Sequence, residues 1–92
     1  MILGTYTKQP ADVLDYDVDY AEFLNGTDTL ASKTVTATPT GINVDSSTIV
    51  GTRVKVWLSG GTNGVTYKVT VTATTGDGRV KQDEFKVKVK DY

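Results

Sequence analysis

From Gly64 to Thr75 the chain alternates apolar and polar residues without a break. Val65, Tyr67, Val69, Val71 and Ala73 point one way; Thr66, Lys68, Thr70, Thr72 and Thr74 point the other. A repeat of two belongs to a pleated strand with one dry and one wet face, because the faces of a helix recur at wider spacing. Such a strand folds only beside other strands and beneath a second apolar layer.

The same parity recurs twice. Phe85, Val87 and Val89 alternate with Lys86, Lys88 and Lys90, and Val54, Val56 and Leu58 alternate with Arg53, Lys55 and Trp57. Weaker strands are predicted over Ala31–Thr38, with Val35 and Ala37 inward, and over Ile42–Val50, with Ile42, Val44 and Val50 sharing a face. Pro39-Thr40-Gly41, the run Ser59 to Gly64, and Gly76-Asp77-Gly78 separate the strands. Gly supplies positive φ and Asp and Asn bond their own backbone, so these are turns, and Asp77-Gly78 reads as a hairpin. Short alternating strands with frequent turns and no long helical pattern predict an all-β fold: an immunoglobulin-like antiparallel β-sandwich of about six to eight strands. Tyr67, early in the penultimate strand, resembles the tyrosine corner of such sandwiches.

The segment before Gly26 reads differently. Residues 1–25 are expected to form an acidic, aromatic N-terminal arm, and residues 26–92 the sandwich. Residues 1–30 hold Lys8 against Asp12, Asp15, Asp17, Asp19, Glu22 and Asp28, whereas residues 31–92 carry nine Lys or Arg against five acids. That polarity, with a net charge of −1, argues against a nucleic-acid binder. Pro10 holds its surroundings extended, and Asp15 to Tyr20 reads as a strand. Asp19 is placed to N-cap a turn through Tyr20 to Leu24, with Glu22 completing a capping box. The acidic arm is expected to dock on a basic face of its own chain or of a neighbour, so that deleting it would weaken assembly and leave the body folded.

Chemistry is restricted by what is missing. The chain has no Cys and no His, which removes disulfides, thiolate nucleophiles, the commonest general base and the usual transition-metal ligands. With 92 residues there is one core and no separate catalytic module. Asp15-x-Asp17-x-Asp19 opens like a calcium loop, but Tyr20 stands at its sixth position and Gly26 at its twelfth, where Gly and a bidentate Glu are needed. Paired acids for glycoside hydrolysis would need a cleft that so small a chain does not enclose. Gly60-Gly61-Thr62-Asn63-Gly64 lacks the Lys-Ser/Thr of a phosphate loop and leads into a strand. The expectation is therefore a non-enzyme with no cofactor and no metal. The N-terminus has neither the basic flank of a signal peptide nor the length of a membrane span, so the chain is expected to stay in the cytoplasm that makes it.

Parity alone leaves the Trp57 indole in water beside Arg53 and Lys55. Either a bulge or the arm covers it, through Tyr16, Tyr20 or Phe23, or it belongs to a contact surface for a partner. Lys86, Lys88 and Lys90 form a basic stripe, read either as a solvated edge or as the dock for an acidic arm. These nine residues are the candidate interaction set.

Lys8-Gln9-Pro10, Asp15 to Tyr20, Phe23-Leu24, Val54 to Gly64, Tyr67 to Thr70 and Gly78-Arg79 together resemble the small tailed-phage proteins described as fibre-tail adaptors or neck proteins. Members often carry Trp where this chain has Tyr20. The resemblance implies a bacteriophage or prophage virion component at the head-tail or tail-fibre junction, binding tail, neck or fibre proteins and made in the host cytoplasm. It supplies no catalytic residues. No large apolar patch can be read from the strand faces, so a monomer is expected in dilute solution, with a ring-type homo-oligomer in the particle. The alternative is a carbohydrate-binding or adhesion sandwich in which Trp57 and the tyrosines stack on sugar rings.

Overall fold

The computed structural model describes residues 2–24 and 26–91. They form seven strands: β1 (Ile2–Lys8), β2 (Leu14–Asp19), β3 (Leu30–Thr38), β4 (Ile42–Val50), β5 (Arg53–Gly60), β6 (Thr66–Thr75) and β7 (Val80–Val89). A four-stranded sheet has the order β1-β7-β6-β3 and a three-stranded sheet the order β2-β5-β4. The all-β sandwich read from the alternation is the fold the chain adopts.

The three clearest stripes make the core. Val54, Val56 and Leu58 of β5, Tyr67, Val69, Val71 and Ala73 of β6, and Phe85, Val87 and Val89 of β7 are all buried in one cluster. Val35 and Ala37 of the edge strand β3 pack against it from the side. Each fully buried Val or Leu contributes about 1.5–3 kcal/mol over its exposed state, which makes this layer the main source of stability. Tyr67 anchors the β5–β6 connection: its hydroxyl accepts a hydrogen bond from the Thr62 N–H at 2.8 Å. Only Gly fits beneath it at position 41, where φ is +129° and a Cβ would lie 2.7 Å from the Tyr67 hydroxyl.

β4 departs from its expected parity. The register with β5 shifts between Val44 and Ser46, leaving Asp45 as the extra residue of a bulge. Beyond it the faces exchange, so Ile49 packs against the core while Val50 turns outward, 54% exposed. The Ser59 hydroxyl donates to the Asp45 carboxylate at 2.9 Å, giving the bulged residue a partner on the neighbouring strand.

The N-terminal segment is woven into both layers. β1 pairs with β7, in parallel rather than in the antiparallel sense expected throughout, and β2 pairs antiparallel with β5. Lys8 fixes the crossing from one sheet to the other. Its side chain is buried, and its ammonium donates to the carbonyls of Gln9 at 2.8 Å, Pro10 at 3.4 Å and Gly60 at 2.5 Å. Burial lowers its pKa, opposed by the charges of Asp12 and Asp45. A buried ammonium is tolerated because its three protons find three acceptors. Val18 and Tyr20 then enter the core from β2 and its end.

After β2 the expected turn forms. Asp19 accepts from the Ala21 N–H at 2.9 Å, and the N–H groups of Phe23 and Leu24 both reach the Tyr20 carbonyl. Arg79 holds the turn from the other sheet, donating to the Phe23 carbonyl at 2.8 Å with its guanidinium 4.0 Å from the centre of the Phe23 ring. A chain beginning at residue 21 loses an edge strand from each sheet, together with Val18 and Tyr20. It is predicted to show no cooperative thermal transition by circular dichroism. Cooperative unfolding of that truncation would show that β3–β7 suffice.

Candidate protein-contact faces

The candidate residues separate into three places. Arg53, Lys55 and Trp57 lie on the outer face of β5, the central strand of the three-stranded sheet, and are brought together as their parity requires. Lys86 and Lys88 project from β7 on the outer face of the opposite sheet, and Lys90 follows just beyond the strand. Tyr16, Tyr20 and Phe23 lie with the core.

The arm's rings therefore do not cover Trp57. Tyr16 stacks inward with Tyr6 and Phe85, at ring-centre distances of 5.2 and 5.4 Å. Phe23 is engaged by Arg79. Trp57 stands between Asp15 of β2 and Ser46 of β4 in the sheet register, beside the bulge, and is 37% exposed.

The acidic repeat is placed by the same pleat. Asp15, Asp17 and Asp19 of β2 lie opposite Trp57, Lys55 and Arg53 respectively. Asp19 pairs with Arg53 at 3.6 Å and Asp15 with Lys55 at 3.5 Å, and Asp19 also accepts from the Thr52 hydroxyl at 3.1 Å. The hydrogen bond from the Ala21 N–H is the foremost cause holding the Asp19 carboxyl below its ordinary pKa, followed by the one from Thr52. Ion pairs this exposed are screened by solvent and contribute little, so they select the β2–β5 register more than they stabilise it. Three carboxylates at alternate positions along one strand, two of them paired with cations, make a charged sheet face.

On the opposite outer face Lys68 of β6 lies directly across from Lys86 of β7. Lys68 pairs with Glu84 at 3.5 Å, and threonines from β1, β3 and β6 surround the lysines. The sequence reading missed Lys8 and Arg79, since a lone Lys or Arg in a strand or turn carries no burial signal. It also missed the match between the acidic repeat and the Arg53/Lys55 repeat. That match was available as two charge patterns of opposite sign and equal period.

A family model described as Podophage GP4 fiber-tail adaptor protein gp77 matches residues 8–88. The chain belongs to this fibre-tail adaptor family. The match opens at the buried Lys8, the last residue of β1, and runs through both sheets, so the family pattern covers β2 together with β3–β7. Membership makes the chain a phage structural protein of the virion, and an adaptor implies contact with other virion proteins. No curated relative matches the chain.

Tyr20 is a core residue whose hydroxyl is buried without a hydrogen-bond partner among the described residues. Burial, then the charge of Asp83, pushes its pKa up to about 12. A phenol whose folded pKa lies above its ordinary value of 10 contributes stability in full below pH 10, and loses it as the pH rises from 10 through 12. Tyr20→Phe is predicted to keep or raise stability at neutral pH and to flatten the loss above pH 10. Chemical denaturation at pH 7 and pH 11 checks both, and an unchanged alkaline slope would assign the loss to other groups.

Proposed function

We propose that the chain is a non-enzymatic adaptor that works entirely through protein–protein contacts, and that the outer face of β2-β5-β4 is a contact face anchored by Trp57. The observation that carries this reading is the position of Trp57: a half-exposed indole at the centre of a charged, otherwise flat sheet, left uncovered by the N-terminal rings. Partly exposed aromatics ringed by polar groups are the usual anchors of protein interfaces. The junction served is head-to-tail or tail-to-fibre, with the protein made in the host cytoplasm, monomeric in dilute solution and ring-forming in the particle. Nucleic acid is not among its partners in this reading, because the ten Lys and Arg are outnumbered by eleven acids in a chain of net charge −1.

The sandwich itself reads as immunoglobulin-like. The orders β2-β5-β4 and β7-β6-β3 correspond to the B-E-D and G-F-C groupings of that fold, and Tyr67 stands early in the strand equivalent to F with its hydroxyl bonded to backbone upstream. The carbohydrate-binding alternative is disfavoured by the same faces. Among the described residues Trp57 is the only aromatic ring on an outer sheet face, whereas a sugar platform needs several.

Trp57→Ala is predicted to change stability by about 1 kcal/mol or less and to prevent incorporation into particles. Electron microscopy of phage carrying that substitution, or lacking the gene, is expected to show tails without fibres or heads separated from tails. Normal infectious particles in both cases would refute the adaptor reading and bring the carbohydrate-binding alternative forward.

A further inference from the structure

The two outer faces of the sandwich carry opposite charge. On β2-β5-β4, Asp15, Asp17, Asp19 and Asp45 stand against Arg53 and Lys55. On β1-β7-β6-β3, Lys68, Lys86 and Lys88 stand against Glu84. One face is therefore net negative and its opposite is net positive by the same amount. The excess on each lies in groups with no ion pair among the described residues, Asp17 and Asp45 on one side and Lys86 and Lys88 on the other. Alternate residues on a strand repeat at nearly one spacing, so the carboxylates of β2 and the ammoniums of β7 form rows of matching period.

From this complementarity we propose that the Trp57 face of one copy packs on the lysine and threonine face of the next. The inference rests on the ring reading above and names the surfaces that build it. The contact is heterologous, joining two different faces of identical chains, and such a contact closes into a ring when the rotation between copies allows it. Size fits as well: the Cα extents of 44 × 20 × 18 Å give the broad side an area near the ~800 Å² that each partner of a standard interface buries. Trp57 supplies the apolar anchor, and the threonines between the lysines of the face opposite offer it methyl groups and hydroxyls. Because both faces carry only a small net charge, the contact is weak for a free pair and salt-sensitive, consistent with a chain that assembles on a template.

A chain without cysteine makes the test direct. Thr48 lies on the acidic face opposite Lys55, and Thr70 lies on the basic face opposite Glu84. A Thr48→Cys/Thr70→Cys double variant, carried in purified virions and treated with a short bis-maleimide, is expected to give a ladder of covalent oligomers. Either single variant gives none, and the sandwich between the two sites prevents a link within one chain. Adding Lys86→Glu is expected to cut the ladder about tenfold, and adding Asp17→Lys with it to restore most of the loss, as a swapped charge pair would. If copies neighbour one another in the particle but the ladder does not form, the assignment of faces is wrong while the ring reading stands. If reconstruction of the particle shows the copies isolated from one another, the ring reading fails and this inference with it.

Discussion

Everything in this chain depends on closing one apolar layer between two sheets that are each too small to be stable alone. The stripes of β5, β6 and β7 supply most of that layer, yet they leave the sheets short at one side. The N-terminal residues complete it: β1 extends the larger sheet, β2 extends the smaller one, and Val18, Tyr20 and Tyr16 fill the space between. Lys8 holds the crossover by giving its ammonium to three carbonyls, so one residue secures the point where the chain changes layer. Folding therefore uses the inner faces almost completely and leaves both outer faces free for charge.

That division explains which parts of the fold could be read in the residues. Where one face is dry and the other wet, as in β5, β6 and the later part of β7, parity assigns the apolar stripes correctly, because a slip of one residue would bury lysines and expose valines. β4 escaped the rule at Asp45, where a bulge no local pattern announces exchanges the faces and turns Val50 outward. β2 was visible as an extended segment and β1 was not, and the place of neither in the sheets could be read. Pairing partners distant in sequence are chosen by long-range packing, and the acidic character of β2 suggested an appendage when it is an edge strand whose charges face solvent and the Arg53/Lys55 row.

The candidate site was legible to a similar depth. Parity alone placed Arg53, Lys55 and Trp57 on one outer face, and the structure keeps them there. Tyr16, Tyr20 and Phe23 were one of the covers considered for the indole, beside a bulge or a partner, and each has inner work instead: Tyr16 with Phe85, Tyr20 within the core, Phe23 under Arg79. Aromatics in an arm carry no sequence signal for the direction they face until the strand that holds them has a partner. With those rings turned inward, the Trp57 surface is an exposed feature that folding does not account for, on a chain of the fibre-tail adaptor family.

The central claim is that this surface is a contact face in the particle. A cryo-electron microscopy reconstruction of the intact virion, resolved well enough to place side chains, tests it most directly. The account predicts density for this chain at a junction of the tail assembly, with Trp57 buried against another protein chain in every copy. Copies held in place through other surfaces, with Trp57 facing solvent, would contradict it.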